Sequence, residues 1–131
     1  MPYLLDTDIC IDVLRGRQRT ILRMSEIYSP DCSISVITLY ELFCGLANAK
    51  QPTAEQEKIH KLTTELHVRR FDDAAARCAA DIRARLQRRG ALIGPYDLLI
   101  AGHALASGCT LVTKNVREFQ RIDELPLESW D

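Results

Sequence analysis

The sequence predicts an α/β domain of three layers, α/β/α, with helices covering both faces of a mostly parallel central sheet. Three observations lead to this. Short apolar, β-leaning runs alternate with longer helical patterns, which is the signature of strands buried on both faces. The chain has 131 residues, enough for one core and too few for two. It carries no internal repeat, linker or low-complexity tract, so residues 1–131 are expected to form a single domain.

Each element has a local reason. Tyr3-Leu4-Leu5 is a short apolar strand that ends at Asp6, and Ile9 to Leu14 continues as a short helix closed by Gly16. From Thr20 to Tyr28 the apolar residues Ile21, Leu22, Met24 and Ile27 have helical spacing. Ser29-Pro30-Asp31 breaks that pattern before the β-leaning Cys32 to Val36, and a second apolar helix follows from Thr38 through Leu46. Pro52 to Leu66 is a more polar helix with Ile59, Leu62 and Leu66 on one side, and His67 to Phe71 alternates as an edge strand does.

Asp72 then caps a helix from Asp73 to Arg89, which is rich in Ala and Arg, has no Gly or Pro, and is stopped by Gly90. Gly94-Pro95-Tyr96 reads as a turn, after which Asp97 opens an apolar helix that runs to Ser107-Gly108. Thr110 to Thr113 is a compact β-rich run. A last helix around Val116 to Arg121 and a short run near Leu127 complete the pattern. In folds of this class the usable crevice lies beyond the carboxyl ends of the strands, so the residues just after each strand are the first suspects for a site.

Composition narrows the function. With 47% hydrophobic and 27% charged residues the chain is neither a disordered tail nor a fibrous repeat. No apolar run approaches the roughly 20 residues needed to span a bilayer, and Met1-Pro2-Tyr3-Leu4-Leu5-Asp6 lacks the basic and apolar regions of a secretion signal, so a cytoplasmic location is expected. Cys10, Cys32, Cys44, Cys78 and Cys109 are scattered with no C-x-x-C pair, and are read as reduced core residues. The formal charge of −1 hides clustering, because 13 of the 17 basic residues are Arg. They gather at Arg15, Arg17, Arg19 and Arg23, at Arg69-Arg70, and at Arg83, Arg85, Arg88 and Arg89. Arg suits phosphate because its planar fork donates two parallel hydrogen bonds, although solvated helix faces are the commoner role of such clusters.

Four carboxylates stand inside or against apolar runs: Asp6, Asp8, Glu41 and Asp97. Ionised carboxylates in such surroundings are costly unless a cation or hydrogen-bond donors compensate, and a hard divalent cation does so. Mg²⁺ is held by one or two carboxylates with water and substrate phosphate, so dispersed single acids suffice and no local spacing rule is expected. Asp8 stands where a helix cap stands and is read as structural. Asp97 fits a cap or a ligand equally well, whereas Glu41, mid-helix among Ile37, Leu39, Leu42 and Phe43, is harder to explain as a cap. His60, His67 and His103 lack ligand spacing, and His103 is read as a partly buried helix residue. No nucleophile elbow or phosphate-cradling glycine loop is present.

Leu4-Leu5-Asp6-Thr7-Asp8-Ile9, Ile37-Thr38-Leu39-Tyr40-Glu41-Leu42 with Gly45, Ile93 to Ala101 around Tyr96-Asp97, and Leu111 to Phe119 around Thr113-Lys114-Asn115 come in this order across the whole chain. Together they resemble the four blocks of a PIN-domain ribonuclease toxin of the VapC family. The resemblance implies a Mg²⁺-dependent endoribonuclease, with Mn²⁺ able to substitute. It implies a VapB-type antitoxin partner in a type II toxin–antitoxin system, and a toxin homodimer that assembles into a larger complex, with no membrane association. Carried over by position, Asp6, Glu41 and Asp97 match the acidic metal-binding set, and Thr113 and Asn115 match supporting catalytic positions. Gly94-Pro95-Tyr96-Asp97 and Leu125 to Trp130 are most similar to the members that cut initiator tRNA in its anticodon stem-loop. Many PIN domains place a fourth acid where this chain has Asn115, which brings no negative charge and argues against a tightly held second metal.

Two other readings compete. A strand ending in Asp6-x-Asp8 also begins haloacid-dehalogenase-like phosphatase sites, but the acidic pair Asp72-Asp73 precedes Lys114 instead of following it. A catalytically silent domain that binds RNA or protein is opposed by three acids that lack a balancing cation.

Overall fold

The computed structural model describes residues 2–27 and 29–130. Five strands, β1 (Tyr3–Leu5), β2 (Cys32–Ser35), β3 (His67–Arg69), β4 (Thr110–Val112) and β5 (Leu127–Glu128), form one sheet in the order β3-β2-β1-β4-β5. Every pairing is parallel, so the expected mostly parallel sheet is wholly so. Seven helices connect the strands among the described residues: α1 (Thr7–Leu14), α2 (Gln18–Ser25), α3 (Val36–Ala47), α4 (Pro52–Glu65), α5 (Asp73–Arg88), α6 (Pro95–Ala106) and α7 (Val116–Phe119).

Strand alternation builds the three layers. Leu4 and Leu111 point into a core shared with Ile82 and Leu86 of α5, Ile100 and Ala104 of α6, and Phe119 of α7. Leu5 and Val112, one residue on, point the other way, to Ile9 and Cys10 of α1, Leu42 of α3, and Ile59 and Leu62 of α4. All four central strand residues are fully buried, each contributing roughly 1.5–3 kcal/mol of apolar transfer free energy. The layer of α5 and α6 is the tighter. A Cβ added at Gly102 of α6 would lie 2.5 Å from the Ala79 backbone nitrogen of α5, so glycine lets the two helix backbones meet.

The structure adjusts several boundaries. Helix α3 starts at Val36, because the Ser35 side chain caps it by accepting from the Ile37 amide at 3.0 Å. The expected turn at Gly94-Pro95-Tyr96 is the start of α6: Gly94 is the N-cap and Pro95 the first helical residue, a place where the missing N–H costs nothing. Helix α2 begins at Gln18 and ends at Ser25, while Tyr28, to which that helix was expected to run, lies outside the described residues. Asp72 caps α5 as expected, accepting from the Ala75 amide at 2.9 Å, and Gly90 ends the helix at φ +65°. Among the described residues no helix is long and apolar enough to cross a membrane.

The strand order reverses direction at β1: β2 and β3 extend to one side, β4 and β5 to the other. The crevice at the carboxyl ends of β1 and β4 is therefore the topological switch point of the sheet, where α/β folds place their sites.

Candidate functional site

Asp6 leaves β1 at that switch point. One carboxylate oxygen accepts from the Thr7 amide at 2.8 Å, capping α1, and the other accepts from the Thr113 hydroxyl at 2.8 Å. Asp6 is only 5% exposed, and burial, followed by the charge of Asp8, pushes its carboxyl up to about 7 in spite of both donors. Thr113, fully buried beyond the end of β4, donates its hydroxyl to Asp6, lies 3.5 Å from Asp8 Oδ2, and accepts from the Asn115 amide at 2.9 Å.

Asp8 is not the cap that the sequence suggested. Asp6 occupies the cap because β1 ends at Leu5, which leaves Asp8 in the first turn of α1, facing the crevice. Its Oδ2 accepts from the Lys114 amide at 3.1 Å, and its Oδ1 is buried without a hydrogen-bond partner among the described residues. Burial raises its pKa as well. Behind it, Asp12 is buried between two cations, with Lys114 Nζ at 3.2 Å and Arg17 Nη1 at 3.1 Å.

Asp97 is the third residue of α6, and its side chain makes no cap bond. Burial and the charges of Glu118, Glu41 and Asp8 push it up to about 6. Glu41 projects from α3, where its Oε1 accepts from the Thr7 hydroxyl at 2.7 Å; the same hydroxyl lies 3.1 Å from that of Thr38. Asn115 turns its amide to Glu118, donating from Nδ2 to Oε2 at 3.0 Å.

The structure thus gathers Asp6, Glu41, Asp97, Thr113 and Asn115 at one end of the sheet and adds Asp8, Glu118 and Thr7. Glu118 was not singled out in the sequence. Its signal was the three-residue spacing from Asn115 across the start of a helix, the spacing that lets two side chains meet. The negative charge absent at Asn115 is therefore supplied one helical turn later.

The donor set is all oxygen, which suits a hard divalent cation, and the orphaned Oδ1 of Asp8 is a buried acceptor awaiting a partner. Among the described residues no three acidic, His or Cys side chains form a group able to hold a metal ion by themselves. A cation here would rest on one or two carboxylates, with water and substrate phosphate completing its shell.

The other candidates lie elsewhere. His103 is buried in α6, with Nδ1 2.8 Å from the Ser35 hydroxyl and its ring edge-on to Phe71, and burial lowers its pKa. Cys10, Cys32 and Cys109 are buried as expected, but Cys44 is exposed and Cys78 half-buried, because α3 and α5 turn those positions off the core; all five are free thiols. Asp72 is used as a cap and Asp73 pairs with Arg77, so neither serves a phosphatase-like metal pair. Several arginines are tied to acids: Arg23 to Glu128, Arg85 to Glu124 and Arg89 to Asp123.

Comparison with known proteins agrees with this geometry. A model of the PIN domain matches residues 3–125. The chain is 35% identical, over 99% of its own length and 98% of the relative's, to the tRNA(fMet)-specific endonuclease VapC of Shigella flexneri. Among solved structures it is similar to VapBC2 from Rickettsia felis bound to a promoter DNA fragment, with TM-score 0.95, 34% identity and full coverage of both chains. It is equally similar to DNA-bound VapBC from Salmonella typhimurium, with TM-score 0.95 and 35% identity, covering 100% of this chain and 99% of that one.

Proposed function

Because the chain belongs to the PIN-domain family, within its VapC group, we propose that it is the toxin of a type II toxin–antitoxin pair, a Mg²⁺-dependent endoribonuclease that cuts initiator tRNA in the anticodon stem-loop. The observation that carries the nuclease reading is the convergence of Asp6, Asp8, Glu41, Asp97 and Glu118 on the switch point, where two of the acids are held well above the ordinary carboxylate range. Such a cluster is destabilising without a cation and is a functional-site signature in a cleft. The finer substrate reading is supported by the Shigella flexneri relative, whose name specifies tRNA(fMet).

Asp6 and Asp97 would hold the cation, with Glu41 as a further ligand or as the group that orients the attacking water. When bound, Mg²⁺ or Mn²⁺ supplies positive charge against the phosphate and lowers the pKa of water. The side chains do the remaining work. Thr7 takes one oxygen of Glu41 and fixes its rotamer, leaving the other oxygen for water. Thr113 orients Asp6, and Asn115 fixes Glu118. Hydrolysis then forms one bond from water oxygen to phosphorus and breaks one phosphorus–oxygen ester bond, with the water's proton leaving and the departing RNA oxygen gaining one.

A VapB-type antitoxin would be the partner, by analogy with the VapBC assemblies of Rickettsia felis and Salmonella typhimurium. A second copy of the chain would pack on the exposed stripe Val36, Tyr40 and Phe43 of α3. These positions share one helical face, and Tyr96 extends the stripe, its ring centroid 5.6 Å from that of Tyr40. Light scattering of the antitoxin-free protein tests this, with Tyr40→Glu expected to give monomers.

The activity test uses antitoxin-free protein with initiator tRNA and an unrelated elongator tRNA, with Mg²⁺ or chelator, beside Asp97→Asn. Cleavage confined to initiator tRNA and abolished by chelator and by the substitution is expected. Cutting of other RNA would keep the nuclease and discard the target, and no metal-dependent cleavage of any RNA would leave a silent binding domain.

A further inference from the structure

A groove of about 490 Å³ runs away from Glu41 between the end of α1 and the α3–α4 connection. Leu14 lies along its apolar wall, and Arg15, Lys50 and Lys58 line it with two carboxylates, Glu55 and, at the end next to the acidic cluster, Glu41. Arg15 is the C-cap of α1, Lys50 lies in the connection, and Lys58 is on α4, so three separate elements bring one cation each to the same cleft.

Unlike those of Arg17, Arg23, Arg77, Arg85 and Arg89, none of these three side chains forms an ion pair or hydrogen bond among the described residues. All three are exposed, and their burial contributes nothing to the core. Three exposed cations aligned on a cleft that opens at an acidic cluster form an electrostatic track toward it. An apolar wall beside phosphate-binding cations suits a single strand, whose sugars and base faces can lie against Leu14 while its phosphates meet the cations. A duplex, with its phosphates fixed on a wide cylinder, does not enter a cleft of this size.

We infer that Arg15, Lys50 and Lys58 hold the phosphates of single-stranded RNA that flanks the cut site, the strand leaving the acidic cluster past Glu41. This rests on the nuclease reading for its direction but not for the contacts themselves. Phosphate contacts position a strand and carry no base preference, so sequence choice must come from elsewhere in the protein.

The test measures binding, not turnover. Fluorescence anisotropy of a labelled single-stranded RNA is followed with antitoxin-free protein at constant Mg²⁺ and varied monovalent salt, for Arg15→Gln, Lys50→Gln, Lys58→Gln and the triple variant. Arg77→Gln, remote on α5, is the control. Each groove substitution is expected to lower the log–log salt slope by about 0.7, and the triple by about 2. The triple variant should bind at least tenfold more weakly, equally on unrelated RNA sequences, with its melting temperature unchanged. An unaltered slope in the triple variant overturns the inference, and so does unchanged RNA binding with weakened antitoxin binding, which would make the groove a protein-docking site. If the wild type binds with the expected slopes but cleaves no RNA, the nuclease reading fails and the groove stands.

Discussion

The Thr113 hydroxyl donates to Asp6 Oδ2 at 2.8 Å, joining residues 107 positions apart. The same hydroxyl accepts from the Asn115 amide, so its hydrogen is free for a carboxylate, and Asp6 at 2.8 Å is nearer than Asp8 at 3.5 Å. Asp6 is thereby held in one orientation, partly offset against the burial that raises its pKa.

Thr113→Val removes the only donor to that oxygen among the described residues while keeping the shape. A hydrogen bond to a charged group is worth about 1.5–3 kcal/mol, so the substitution should lower stability by roughly that amount above pH 7, where Asp6 is ionised. It should also raise the Asp6 pKa further and move the acid limb of the pH–rate profile to higher pH. Thr113→Ser should restore both, whereas a valine variant with an unshifted profile would show that Thr113 does not tune Asp6.

Stability should fall as pH rises. Asp6 titrates near 7 and Asp97 near 6 in the folded chain, against an ordinary value of 3.8, so between these limits the folded state binds more protons than the unfolded one. By linkage their favourable contribution is complete below about pH 4 and is lost progressively up to about pH 7. Melting temperatures of chelator-treated protein across that range should decline, and Asp97→Asn should flatten the decline and melt higher than wild type at neutral pH while losing activity. A variant less stable than wild type at neutral pH would contradict the repulsion argument.

Divalent cations should reverse the trend. Mg²⁺ or Mn²⁺ at about 100 times its dissociation constant adds roughly 2.7 kcal/mol to the folded state. The gain in melting temperature should be larger at pH 8 than at pH 5.5, because protons compete for Asp6 and Asp97, and smaller in Asp97→Asn. Equal shifts in both proteins would place the ion elsewhere.

Gly102→Ala tests the helix layer behind the site. Its methyl would collide with the Ala79 backbone, which no side-chain rotation relieves, so a loss of at least about 1–3 kcal/mol is expected in denaturant titration. Asp72→Ala, which removes only a cap, should cost about 1 kcal/mol and serves for comparison.

Strands β1, β2 and β4 were legible as short β-leaning runs bounded by turn or cap residues, buried on both faces, and β3 as an alternating edge strand, whereas β5, two residues long, was read only as a short run near Leu127. Asp6, Glu41 and Asp97 were legible because an acid within an apolar run demands compensation. Asp8 was misread because the cap position depends on where the strand ends, and a shift of two residues decides which acid serves the backbone and which faces the crevice. Glu118 lies in a polar stretch where an acid needs no special explanation, and only tertiary packing brings it near Asp97. Gly94-Pro95-Tyr96 reads as a turn in the sequence because proline favours turns as well as the first position of a helix, the place it takes here.

The sheet order has a consequence in time. The first strand made is the middle one, and its partner β4 is among the last. While the chain is being synthesised, Asp6 therefore waits for Thr113, 107 residues on, and every nascent chain too short to include it carries an incomplete acidic cluster.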